Sequence, residues 1–342
     1  MTKTILIFRI GSIGDTVVAL PCFHQISRAF PGHRRVLITD VPVGQKAAAA
    51  ESILRRGTLI DDVIYFPPPP RKGRDLLALR RRIRETGAAT LVYVADREIG
   101  QTLRDLAFFY ACGIRRIIGA PLRRNMRKPQ VDPLSGETER EALRLARCLK
   151  DLGPIDLDDP KAWDLQLQPD EVQAAQRALG PLHSLDFLAV SIGGKDPRKD
   201  WGDANWAALL RILAASRSHL GLAFVGAADE AERCQRLAKA WSGPTLNLCG
   251  LLTPRESAAA MQQAVLYLGH DNGPMHLAAS VGTQCVAMFG NVNMPRWWHP
   301  MGPGHHIIHD TRGLRFISPE QVAAATAPLL VSVETQNREF VR

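Results

Sequence analysis

The sequence predicts an α/β protein built as two parallel-sheet domains in series, and three observations point there. Strand-sized apolar runs alternate with helical patterns in both halves, the rhythm of βαβ units. A stretch at 151–170, rich in Asp, Pro and Gly and without a clear period, separates the halves. The chain has 342 residues, which at roughly 100–200 residues per domain is about two domains.

In the first half, residues 4–10 read as a strand, 15–30 as a helix, 35–39 as a strand, 76–86 as a helix and 91–95 as a further buried strand. The prolines at 67–70 read as a stiff polyproline turn. The second half restarts with a strand at 187–192, a helix at 204–216, a strand at 221–225, a helix at 230–241 and a strand at 245–248. A short helix at 254–263 then leads to a strand at 266–269, a helix at 274–281 and a strand at 284–289. The expected domains are therefore 1–170 and 183–320, followed by a C-terminal helix and tail at 321–342. A cleft between two such domains suits an enzyme that brings two substrates together, because ligands bind outside the carboxyl ends of parallel strands.

Composition narrows the class. Hydrophobic residues at 46% and charged residues at 23% are near the globular average, which excludes a disordered chain or a disulfide-stapled miniature. The longest apolar runs fall far short of the ~20 residues a spanning helix needs. Met1-Thr2-Lys3-Thr4 runs straight into a strand, without the apolar block and cleavage site of a signal peptide, so a cytoplasmic location is expected. Cys22, Cys112, Cys148, Cys234, Cys249 and Cys285 form no C-x-x-C pair and have no His at ligand spacing; they read as buried or free thiols. Net charge is +9, but residues 1–128 hold 23 basic and 10 acidic side chains and the remainder 20 and 24. The positive field thus belongs to the first third, as solvated helix faces or as a surface for an anionic partner.

Four segments can carry chemistry. After the first strand comes Gly11-Ser12-Ile13-Gly14-Asp15, where Gly11 and Gly14 permit positive φ and close approach but do not form G-x-G-x-x-G. Asp15 reads either as a helix cap or as a general base within reach of a substrate hydroxyl. Behind the strand at 187–192, Gly193 and Gly194 permit backbone approach, and Lys195, Arg198 and Lys199 gather positive charge suited to a diphosphate, without a P-loop pattern. Glu230, one short turn past the next strand, could bind ribose hydroxyls or cap its helix. In Asp271-Asn272-Gly273-Pro274-Met275-His276, a strand meets a helix start whose free N–H groups and dipole suit an anion. There His276 could donate to a phosphate oxygen and Asp271 accept from a sugar hydroxyl.

Taken together, Arg9-x-Gly11-Ser12-Ile13-Gly14-Asp15, Lys199-x-Trp201, Gly226-x-x-x-Glu230 and Asp271-x-Gly273-Pro274-Met275-His276-Leu277-Ala278 resemble glycosyltransferase family 9, the ADP-heptose:lipopolysaccharide heptosyltransferases. The resemblance implies a GT-B fold, two Rossmann-like domains facing across a cleft, with an N-terminal acceptor domain and a C-terminal nucleotide-sugar domain. It implies an inverting, metal-independent transfer of a heptose from an ADP-sugar donor, with no cofactor, to lipopolysaccharide core or another anionic envelope glycolipid. Peripheral association with the inner membrane face goes with it, and nucleic acid is not an expected partner. By position Asp15 would be the catalytic base in the turn of Gly11, Ser12 and Gly14. Lys199 would neutralise the departing diphosphate, Glu230 hold the ribose, and Asp271 with Gly273, Pro274, Met275 and His276 bind the donor's sugar and phosphates. Asn272 stands where Ser or Thr is common in the family. Asp156-x-Asp158 has the form of a metal-binding D-x-D pair but lies in the connecting stretch. The competing readings are a GT-B sugar-nucleotide epimerase, which would need no acceptor, and a basic nucleic-acid-binding module, which the few aromatics disfavour.

Overall fold

The computed structural model describes residues 3–41, 50–67 and 72–340, so most of the 67–70 proline turn and the tip of the C-terminal tail lie outside the described residues. The chain divides into two compact units, Met1–Gln166 and Leu167–Arg342. The division falls inside the 151–170 stretch. The helix Pro169–Ala178, which begins in the last residues of the expected first domain and continues into the stretch left between the two, belongs to the second unit.

The first unit is a five-stranded parallel sheet of β1 (Thr4–Phe8), β2 (Arg34–Asp40), β3 (Asp62–Phe66), β4 (Thr90–Tyr93) and β5 (Arg116–Ile118), in the order β3-β2-β1-β4-β5. The second is a six-stranded parallel sheet of β6 (Phe187–Val190), β7 (Gly221–Phe224), β8 (Thr245–Asn247), β9 (Leu266–His270), β10 (Cys285–Phe289) and β11 (His306–His309), in the order β11-β10-β9-β6-β7-β8. Each strand order reverses once, between β1 and β4 and between β6 and β9. In doubly wound sheets that reversal opens the crevice in which ligands sit, at the carboxyl ends of the strands.

Both sheets are apolar on two faces because helices cover them. Leu6, Phe8, Val36, Ile38, Leu91 and Tyr93 are buried in one cluster of the first unit. Leu188, Val190, Leu222, Phe224, Leu268 and Met288 are buried in the second, against Trp206 and Leu210 of the helix Asp203–Arg217.

The sequence reading needs correction at several elements. Strands β3, β5 and β11 were not anticipated. Each has only three to five residues, with polar neighbours such as Asp62, Arg116 and His306, and is specified by its pairing partner more than by its own pattern. The helix expected at 15–30 is two, Ile13–Val18 and Leu20–Ala29, broken at Ala19 ahead of Pro21. The C-terminal helix starts at Pro319 and runs to Phe340. No helix of the described residues is long and apolar enough to cross a membrane. All six cysteines are buried free thiols, with Cys234 and Cys249 Sγ atoms 3.4 Å apart.

Candidate functional site

In the first unit the chain leaves β1 and turns at Gly11, whose φ of 138° favours glycine. A Cβ there would also stand 2.7 Å from the Asp15 Cβ. Ser12 is the N-cap of the following helix, and Asp15 is the third helical residue, not the cap. Its Oδ2 accepts from the Ser12 amide at 2.6 Å and the Ser12 hydroxyl at 2.7 Å, which closes a capping box. Gly14 is buried within that first helical turn and has no positive φ, so of the two glycines only Gly11 makes the bend. Sequence reasoning assigns Arg9 no role, yet its buried guanidinium fixes the turn: Nη1 donates to Val94 O, just past β4, at 2.6 Å, and Nη2 donates to Asp15 O. The backbone of Asp15 is thereby tied to the end of β4, the strand beside β1 at the reversal of the sheet order.

In the second unit three loops meet at the carboxyl ends of β6, β7 and β9. Lys199 Nζ lies 2.6 Å from Asp271 Oδ2, so the two residues assigned to the diphosphate and to the sugar pair with each other. The same oxygen accepts from Asn293 Nδ2 at 2.5 Å, from the segment that follows β10. Asn272 ties the loops together: its Oδ1 accepts from Met275 N at 3.0 Å, while its Nδ2 donates to Ser191 Oγ at 3.0 Å and to Gly193 O at 2.9 Å. An Asn therefore caps the helix Gly273–Ser280 and, with its two N–H donors, spans to β6, which a Ser or Thr hydroxyl could do only once.

The helix start offers fewer donors than the sequence suggested. Pro274 has no N–H and that of Met275 is taken by the Asn272 cap, which leaves Gly273 in the first turn. His276 is buried, with its ring 6.3 Å from that of Trp298 and edge-on to it. Glu230 is likewise buried and its Oε2 accepts from the Ala227 amide at 3.1 Å.

Gly193 has a different role from the one expected. A Cβ there would stand 1.5 Å from Glu230 Oε1, and one on Gly226 would stand 2.2 Å from Glu230 Oε2. The missing side chains make room for the Glu230 carboxylate rather than for a ligand's direct approach. His270 was not singled out from sequence. It is fully buried, Nε2 lies 3.0 Å from Ile192 O, and burial lowers its imidazole below the usual range, so it braces β9 against β6 in its neutral form. The loop carrying Lys199 is anchored by Trp201, whose Nε1 donates to Ile317 O at 2.9 Å, and by Arg233, which makes a bidentate pair with Asp200 at 2.8 and 2.9 Å. Burial alone would raise the Asp200 carboxyl, but the Arg233 guanidinium holds it below the usual carboxylate value.

Asn293 and Trp298 are the site residues that sequence reasoning missed; the cluster Trp297-Trp298-His299 shortly after a strand was the available signal. Asp156 accepts from the Asp158 amide at 3.0 Å in an exposed local turn, which accounts for the D-x-D pattern. Among the described residues no group of three or more His, Cys, Asp or Glu is arranged around a metal position.

The second unit thus offers a cation, a buried carboxylate, a helix start and a histidine around one crevice, a set suited to a sugar diphosphate. The family described as Glycosyltransferase family 9 (heptosyltransferase) matches residues 122–314. Lipopolysaccharide heptosyltransferase 3 of Escherichia coli K12 is 25% identical over 159 residues, covering 42% of this chain and 46% of that protein. The chain thus matches under half the length of this curated relative. Among solved structures, the glycosyl transferase family 9 protein from Veillonella parvula superposes with a TM-score of 0.73 at 19% identity, over 96% of this chain and 98% of that one. E. coli heptosyltransferase WaaC with ADP-2-deoxy-2-fluoro heptose gives 0.67 at 15% identity, over 95% and 99%. At such identity the likeness speaks for the fold, the two-sheet α/β class of GT-B.

Proposed function

Because this chain belongs to glycosyltransferase family 9, we propose that it transfers a heptose or a related sugar from an ADP-sugar to an anionic cell-envelope glycolipid such as lipopolysaccharide core, at the cytoplasmic face of the inner membrane. The observation that carries this reading is the meeting of Lys199, Asp271, Glu230 and the capped start of the helix Gly273–Ser280 at the reversal point between β6 and β9. WaaC has been solved with ADP and with an ADP-heptose analogue, which supports the same donor class here.

The acceptor hydroxyl oxygen attacks the anomeric carbon and forms the new glycosidic bond. The bond from that carbon to the diphosphate oxygen breaks, and its electron pair leaves on ADP. Attack opposite the leaving group inverts the centre. The hydroxyl proton passes to the Asp15 carboxylate as the new bond forms, because the hydroxyl becomes acidic enough to give it up only while its oxygen is losing electron density. Charge grows on the departing diphosphate, where Lys199 Nζ and the Gly273 amide are preorganised to meet it, Lys199 shifting from Asp271 toward phosphate. Glu230, buried against Gly193 and Gly226, accepts from the ribose hydroxyls; His276 donates to a phosphate oxygen.

Incubation of the purified protein with a panel of nucleotide sugars and a deacylated lipopolysaccharide-core acceptor tests the proposal. ADP release and a mass gain of one heptose on the acceptor are expected with ADP-heptose. No turnover of any nucleotide sugar rejects it, and conversion of the donor to an epimer without acceptor assigns the epimerase activity instead. Gly193→Ala is expected to displace Glu230, with an overpacking cost of about 1–3 kcal/mol and roughly tenfold or weaker ADP binding. Thermal denaturation and titration calorimetry check both; unchanged ADP affinity would remove Glu230 from the nucleotide site.

A further inference from the structure

We propose that the outer face of the helices Gly73–Glu85 and Ile99–Ala111 is a docking surface for an anionic phospholipid bilayer. The proposal deepens the glycolipid-acceptor reading and rests on it for its biological purpose, but the binding itself needs neither donor nor acceptor.

The two helices lie side by side on one face of the first sheet. Leu79 and Ile83 of the first and Phe109 of the second enter the same buried cluster as Phe8 and Tyr93. Arg80 Nε donates to Ala111 O at 3.0 Å, linking one helix to the end of the other. Their outer faces follow from helical spacing, which puts residues 77, 81 and 84 on one stripe and 103 and 110 on another. Leu77 is 64% exposed, Leu103 54% and Tyr110 55%. Leu77, Arg80, Arg81, Arg84 and Glu85 together form a shallow, open patch on the first helix. The first helix carries five arginines against Asp75 and Glu85. Arg104 on the second and Arg115 and Arg116 just beyond it are exposed.

One exposed leucine on each helix, set among exposed arginines, gives this face both kinds of group that a membrane interface takes up. Aliphatic groups enter the headgroup boundary while guanidinium groups pair with lipid phosphates. Single-stranded nucleic acid would instead be met by aromatic platforms, and here only Tyr110 is aromatic among the exposed apolar groups of these helices. Both helices follow strands of a parallel sheet, so their amino-terminal ends lie at its carboxyl edge. That edge carries the Gly11–Asp15 turn, and a bilayer met along these helices brings a membrane-anchored acceptor to the side of the unit that holds Asp15.

Co-sedimentation of the full chain with phosphatidylcholine vesicles, with or without about one-third phosphatidylglycerol, tests this. Binding is expected only to the anionic vesicles and should weaken steeply with salt. Arg81→Glu with Arg84→Glu should weaken it by about tenfold or more, as each arginine near an anionic surface contributes roughly a factor of five. Leu77→Ser with Leu103→Ser should weaken it several-fold at unchanged charge. Unshifted melting curves certify folding, and Arg81→Gln with Arg84→Gln replaces the reversal if it does not fold. No binding to anionic vesicles, or binding indifferent to both pairs of substitutions, overturns the proposal. So does arginine-dependent binding to a single-stranded oligonucleotide with none to vesicles. Transfer to a water-soluble deacylated acceptor, measured on the same variants, should be unchanged, so failure of docking and failure of the transferase reading are separately visible.

Discussion

Asp15→Asn is expected to lower the transfer rate by about a hundred- to ten-thousand-fold, the range for removing a general base, while melting temperature and ADP affinity stay near those of the parent protein. The asparagine keeps an oxygen for the Ser12 amide and hydroxyl, which Asp15 Oδ2 now serves at 2.6 and 2.7 Å. It therefore preserves the helix start but cannot take up a proton. Asp15→Ala removes the capping interaction as well and should cost about 0.5–2 kcal/mol of stability in addition to the activity. The pair of variants separates the two roles of this carboxylate. A purely structural Asp15 predicts that Asn is active and Ala is merely unstable, and steady-state rates beside melting curves would reveal it.

Lys199→Ala is expected to reduce turnover by about a hundred- to a thousand-fold, as loss of one preorganised donor to a developing anion does, and to weaken ADP binding. Lys199 and Asp271 are 2.6 Å apart, and Asp271 is also held by Asn293. Removing the lysine leaves a largely buried carboxylate facing the proposed phosphate site, so part of the expected loss is repulsion. Lys199→Ala combined with Asp271→Asn should therefore bind ADP more tightly than Lys199→Ala alone, a coupling of roughly 0.5–3 kcal/mol between contacting residues. Full turnover in Lys199→Ala, or strictly additive effects in the double variant, would show that the lysine has no part in leaving-group stabilisation.

The sequence by itself determined the class of fold and the strand-to-helix turns at which the proposed function places its chemistry. Apolar strands ending abruptly at Gly11, at Gly193 and at Asp271 announce strand-to-helix turns, because only short-range signals are involved: a run of Ile, Leu and Val, then glycine or a capping residue, then a helical period. The capping of the helix Gly273–Ser280 by Asn272, beside Pro274, is local in the same sense.

Tertiary structure decided what these segments do to one another. Parallel connections bring together strand ends that lie far apart in the chain, and the placement of β9 beside β6 turns Lys199 and Asp271 into a pair and lets Asn272 reach Ser191 and Gly193. No periodicity encodes that Arg9 staples the Asp15 backbone to the end of β4. The same holds for Gly193, bare because Glu230 fills its space, and for Asn293, which arrives at Asp271 from beyond β10. These are contacts between loops with no pattern of their own, set by which strands neighbour each other in the sheet, and only the assembled sheet fixes them.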